Sequence, residues 1–167
     1  MLLGLINYLI VHAYIYIFQR NLLYHPSVNG YQEDKINFDY SEIFIQNKEG
    51  IKLKAWLHEK DLINKKTIIF FHGNAGNLRN RNYKLNELSK FDVNFLIVAY
   101  RGFSGNKGKP SEQGLYEDAR STLDWLKIKG VKEKNLILYG ESLGTAIAIE
   151  TAQNKNLAGI ILESPFT

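Results

Sequence analysis

Cysteine is absent from the 167 residues of this chain. That absence removes disulfides, thiolate nucleophiles, Cys-ligated zinc and S-palmitoylation. It leaves the compartment open, since a disulfide-free protein works on either side of a membrane. No Asn-x-Ser/Thr sequon occurs, so nothing marks a glycosylated loop. Histidine is scarce: there are four, and none follows His72. Clustered basic charge is missing too. The net charge is +4, and the lysines are densest only at Lys65-Lys66 and over Lys127, Lys129, Lys132 and Lys134. Nucleic-acid binding asks for Arg and Lys interleaved with aromatics along one face. These lysines read instead as a solvated surface, and no nucleic-acid partner is expected. The glycine-rich stretch from Tyr100 to Gly114 matches neither the P-loop nor G-x-G-x-x-G. No cofactor and no metal are expected.

What is present is enough for one globular domain, with 45% hydrophobic residues. Leu2 to Phe18 is almost wholly apolar, broken by Gly4, Asn7 and His12. Extended to Leu23 as a helix, the run approaches the roughly 30 Å hydrocarbon core of a bilayer, with Arg20 snorkelling outward. Tyr24 falls where an aromatic belt sits. There is no basic n-region and no small-residue cleavage site, which argues against a signal peptide. Residues 1–25 therefore read as a single-pass membrane anchor, the alternative being a helix buried or lying at an interface against the domain. Arg20 and Lys35 follow the span, which places the globular part in the cytoplasm by the positive-inside rule, but two charges leave orientation undetermined.

After a turn expected from Pro26 to Asn29-Gly30, residues 36–167 alternate strands and helices. Glu42–Gln46 and Ile51–Leu57 read as a hairpin around Asn47–Gly50. Thr67–Phe71, Val93–Ala99, Leu136–Tyr139 and Ala158–Leu162 are short apolar runs suited to strands covered on both faces. Between them lie a polar helix over roughly Leu78–Lys90 and a helix capped by Ser111 that runs to about Lys129. The second places Leu115, Ala119, Leu123 and Leu126 on one face. A third helix follows Gly144. The pattern predicts an α/β fold with a doubly wound, mostly parallel sheet of about six strands behind an N-terminal hydrophobic helix.

Gly140-Glu141-Ser142-Leu143-Gly144 carries the chemistry. A G-x-S-x-G between a strand and a helix is the context of a nucleophile elbow, in which a strained turn projects Ser142 above the sheet. Strand and helix pass so closely that Gly140 and Gly144 have to be very small. In such sheets ligands bind at the carboxyl ends of the strands. There His72-Gly73-Asn74-Ala75-Gly76-Asn77 follows Thr67–Phe71. Gly73 and Gly76 permit close backbone approach, and the loop offers an oxyanion hole from the N–H groups of Asn74 and Leu143.

These segments, together with Tyr100-Arg101-Gly102, Pro110-Ser111-Glu112, Gly114 and Glu163-Ser164-Pro165-Phe166, resemble the α/β-hydrolase superfamily. Gln19-Arg20-Asn21-Leu22-Leu23-Tyr24-His25-Pro26 after an apolar span is similar to the membrane-anchored serine hydrolases of the bud-emergence type. The resemblance implies an eight-stranded sheet with an antiparallel second strand and a Ser–Asp–His triad. It further implies hydrolysis of an ester, thioester or amide in a small acyl substrate through an acyl-enzyme.

The same resemblance places the acid and the histidine after the nucleophile, where this sequence supplies no histidine. His72 has a structural role in that motif. The chain therefore reads as a C-terminally truncated hydrolase, inactive alone, with Ala158–Leu162 left as an exposed apolar edge. A second polypeptide is the expected source of the missing half. The alternative is a non-catalytic anchored remnant or interaction module.

Overall fold

The computed structural model describes residues 2–27 and 35–166. The turn expected at Asn29-Gly30 lies outside the described residues. Helix α1, Leu2–Leu23, buries none of its residues. It is long and apolar enough to cross a membrane. Strands β1 (Ser41–Gln46) and β2 (Lys52–His58) form the expected hairpin. They are followed by β3 (Thr67–Phe71), α2 (Asn82–Leu88), β4 (Asn94–Val98), α3 (Glu112–Ile128), β5 (Leu136–Glu141), α4 (Leu143–Ala152) and β6 (Gly159–Glu163).

The sheet order is β1-β2-β4-β3-β5-β6, with β2 antiparallel to both its neighbours and the rest parallel. This order decides where the helices go. The chain steps from β3 to β4 in one direction, then from β4 back past β3 to β5. Right-handed crossovers place α2 on one face and α3 on the other. The step from β5 to β6 continues the second direction, so α4 joins α3, and the two helices pack together. β3 and β4 lie at the centre and are buried at every position. Their unbroken apolar runs are what two covered faces demand.

Two differences from the sequence reading are informative. The polar helix expected over Leu78–Lys90 is split into a 3-10 turn, Leu78–Arg81, and the short α2. Asn77 and Asn80 cap each other: the Asn77 side chain accepts from the Arg79 N–H (2.9 Å) and the Asn80 side chain from the Asn77 N–H (2.8 Å). Such side-chain bonds compete with the helical ladder. Tyr24, expected at a membrane interface, turns into the domain and is only 8% exposed.

β6 pairs with β5 alone among the described residues. Ile160 and Ile161 are each 44% exposed there, as expected of an unpaired apolar edge.

Candidate active site

The reversal between β4 and β5 leaves the loops after β3 and β5 running to opposite faces of the sheet from adjacent strands. This is the topological switch point, where open α/β sheets bind ligands. The His72–Asn77 loop leaves β3, and Ser142 leaves β5.

Ser142 sits at φ +50° and ψ −113°, a costly conformation for a residue with a side chain, on the order of 1–3 kcal/mol. The expected steric reason for the glycines is visible. A Cβ on Gly144 would overlap the Phe71 carbonyl oxygen of β3. One on Gly140 would lie 2.6 Å from the Gly144 carbonyl carbon and the Thr145 Cα. No larger residue leaves both passages open. The turn is held by its own hydrogen bonds: Ser142 N–H donates to Glu163 O (2.9 Å), and Thr145 donates to Ser142 O through N–H (2.9 Å) and Oγ1 (2.6 Å). Leu143 opens α4, so its N–H has no carbonyl one helical turn behind it. The positive helix terminus faces the same space.

Asn74 occupies the facing loop. Its backbone N–H makes no hydrogen bond within the described residues, while its carbonyl and side chain are both engaged with the end of α1. His25 N–H donates to Asn74 O (2.8 Å) and Asn74 Nδ2 to Leu23 O (2.8 Å). His25–Pro26 and Ala75–Gly76 form a two-residue parallel ladder. Gly76 adopts φ +83°, and a Cβ there would lie 2.5 Å from Asn80 Oδ1. At Gly73 the crowding comes from Arg81 Nη2 and Glu141 Oε1, each 3.2 Å from a hypothetical Cβ.

Those two side chains belong to a network that the sequence reading did not assign. Arg81 Nε bonds Glu141 Oε2 (3.1 Å), and Nη1 donates to Ala75 O (3.1 Å), clamping the Asn74 loop against β5. Lys84 bridges Glu141 (3.2 Å) and Glu163 (2.6 Å). Tyr139 O–H also donates to Glu163. The Lys84 and Tyr139 hydrogen bonds hold the Glu163 carboxyl below its ordinary value. Glu141 and Glu163 are register partners at the ends of β5 and β6, where like charges directly opposite destabilise the pair and the cations between them offset this.

All four histidines are engaged away from Ser142. His72 is 1% exposed, packs on Tyr100 and Phe103 (ring centroids 4.1 and 5.0 Å), and bonds Gly73 O through Nδ1 (2.7 Å). Burial and then the Arg81 charge push its pKa down to about 3, so it is neutral and serves as packing. His58 bonds Asp39 O (2.6 Å) and stacks on Phe95. His25 bonds Leu22 O, and His12 bonds Tyr8 O within α1.

The Tyr100-Arg101-Gly102 and Gly114 signatures prove architectural. Arg101 donates to the fully buried Asp118 from its backbone N–H (2.8 Å), Nε and Nη2 (2.8 Å), and to Glu49 through Nη1 (2.9 Å). Asn47 Nδ2 adds another bond to Asp118 (2.8 Å). Gly114 lets the Arg101 side chain pass; a Cβ there would lie 2.8 Å from Arg101 Cδ.

A family model of serine aminopeptidases, the S33 group, matches residues 63–167. The alpha/beta hydrolase domain-containing protein WAV2 of Arabidopsis thaliana is 31% identical over 166 residues, which cover 93% of this chain and 54% of that protein. Protein bem46 of Schizosaccharomyces pombe is 31% identical over 172 residues, covering 95% of this chain and 57% of its own. The crystal structure of an alpha-beta hydrolase from Vibrio vulnificus superposes with a TM-score of 0.69 at 27% identity, over 77% of this chain and 46% of that one. The chain thus spans about half the length of the curated relatives it matches. A strained serine between two obligatory glycines, at the switch point of this sheet, agrees with those matches. The chain belongs to the serine aminopeptidase S33 family of the α/β-hydrolase superfamily.

Proposed function

We propose that this chain is the nucleophile-bearing part of a membrane-anchored serine hydrolase that cleaves an ester, thioester or amide through an acyl-enzyme. The observation that carries the reading is the backbone of Ser142, held at φ +50° by contacts that exclude any residue but glycine at 140 and 144. Ser142 is the nucleophile. The N–H groups of Asn74 and Leu143 stabilise the oxyanion, a contribution worth about 10²–10³ in rate per donor in well-studied cases. Helix α1 anchors the domain, so residues 1–25 and 36–167 divide into anchor and catalytic part.

The acid and base come from outside these 167 residues, on a second segment or polypeptide. Support comes from the four histidines, each bonded or packed elsewhere. A serine hydroxyl without a base is a poor nucleophile at neutral pH, so the chain by itself is inactive. The open edge of β6 is where the further strands add. A fluorophosphonate probe tests this. Ser142 is labelled once the downstream half of the fold is supplied, and Ser142→Ala abolishes the label. No labelling of the isolated chain or of the completed one would sink the catalytic reading. The exposed Ile160 and Ile161 favour a second reading, an anchored module that recruits a partner along β6; that outcome would support it.

A further inference from the structure

We infer that the notch where α1 meets the loop between β4 and α3 binds the phosphate headgroup of an anionic membrane lipid. The inference rests on α1 lying in a bilayer and is independent of Ser142. The apolar run of α1 ends at Phe18, and Gln19-Arg20-Asn21 is the helix's first run of consecutive polar residues. At 1.5 Å per residue, Leu2 to Phe18 covers about 25 Å. Against a hydrocarbon core roughly 30 Å thick, the polar run falls at headgroup level. Arg20 brings the domain to that level. Its Nε and Nη2 donate to Pro110 O (3.0 and 2.8 Å), and Nη2 also reaches Lys109 O (3.4 Å). Bonds between Asn74 and both Leu23 and His25 hold the helix end at a second point.

A cleft of about 340 Å³ opens at this joint, with Ile17, Arg20, Asn21, Lys109 and Pro110 in its lining. Its donors are uncommitted. Arg20 Nη1, Asn21 Nδ2 and Lys109 Nζ make no hydrogen bond or ion pair among the described residues. A guanidinium edge beside an ammonium suits a phosphate. No carboxylate lines the cleft. Those of the adjoining segments are engaged, Glu49 with Arg101 (2.9 Å) and Glu112 with Tyr116 (3.1 Å). Exposed Lys107 carries the positive charge further along the same loop. The order of the lining matches a lipid and not a free anion. Ile17, one turn toward the membrane from Arg20, is 68% exposed, so acyl chains pass it while the phosphate meets the donors. Phosphatidylcholine brings its own cation against Arg20 and Lys109, and a lipid of net negative charge does not.

The test places the full chain in nanodiscs of phosphatidylcholine and phosphatidylglycerol in equal amounts. Native mass spectrometry then identifies the lipids that stay bound on release. Retained phosphatidylglycerol should exceed phosphatidylcholine by about fivefold or more, since one basic side chain at an anionic surface is worth about fivefold in affinity. Lys109→Gln lowers that preference by about fivefold, and Asn21→Asp, which sets a carboxylate in the cleft, abolishes it. Lys155→Gln, an exposed lysine after α4, leaves it unchanged. Excess inorganic phosphate does not displace the lipid; displacement would show a site for free anions and overturn the assignment. Equal retention of the two lipids overturns the inference. So does a preference that survives in both cleft variants while circular dichroism shows them folded. A chain that fails to insert into phosphatidylcholine alone overturns the anchor and the headgroup site together. One that inserts without preferring either lipid overturns the headgroup site and leaves the anchor standing.

Discussion

Arg101 with Asp118 and Arg81 with Glu141 are both arginine–carboxylate pairs at the carboxyl end of the sheet, and their surroundings differ. The first is sealed: the Arg101 side chain is 7% exposed and Asp118 fully buried, with every oxygen of the carboxylate occupied. The second has Arg81 at 10% and Glu141 at 18%, shares its carboxylate with Lys84, and touches the Asn74 loop. A buried pair costs desolvation and repays it only through geometry. The sealed pair holds β1, β4 and α3 in place. The open one sets the position of a loop that the proposed chemistry uses.

Breaking the sealed pair has the largest expected effect. Asp118→Ala strands the Arg101 charge and removes the acceptor of its own N–H. It should cost roughly 3–5 kcal/mol in urea unfolding. Acid comes next and acts beside the open pair. His72 has a folded pKa of about 3 against 6.5 when unfolded, so the unfolded state takes up a proton first. Stability is full above pH 6.5 and falls toward pH 3, by on the order of a few kcal/mol. In His72→Phe that slope should flatten in a pH series of thermal melts. Glu163 adds a smaller loss of the same sign, present above its ordinary value of 4.5 and lost as pH falls through the lowered one.

Arg81→Ala sharpens the contrast. Unfolding measurements should show a loss of about 1–3 kcal/mol, smaller than for Asp118→Ala. Fluorophosphonate labelling of Ser142 in the completed fold should nevertheless drop by at least about tenfold as the Asn74 loop loosens. If Asp118→Ala lowered labelling of the folded fraction as much as Arg81→Ala, the division of labour would be wrong. At the small end, Lys90→Ala removes an exposed pair with Glu87. It should move stability by no more than about 0.5 kcal/mol.

How much of this was legible in the sequence varies with the range of the interaction. Thr67–Phe71 was readable to the residue because a strand covered on both faces needs an unbroken apolar run. The need for very small residues at 140 and 144 was legible in the strand–turn–helix pattern around them, but the Phe71 carbonyl that meets Gly144 comes from β3. α2 was not legible, because Asn80 is drawn into a local cap with Asn77 and Arg81 into a tertiary pair with Glu141. The network of Arg81, Lys84, Glu141 and Glu163 joins residues 60 and 79 positions apart, and only the pairing of β5 with β6 brings them together. The roles of Arg101 and Gly114 were likewise hidden, though the residues stood out, because a signature does not say whether it serves chemistry or packing.

The torsion of Ser142 has a consequence in time as well as in space. Its backbone needs the Phe71 carbonyl on one side, Thr145 behind it and the Glu163 carbonyl from β6 above its own N–H. These arrive from segments that are distant along the chain, and long-range contacts form late. No local stretch of sequence holds the serine in that shape by itself. That backbone shape is thus absent from the nascent and partly folded chain and arises together with the sheet. Folding, in this molecule, is the step that sets the turn at Ser142.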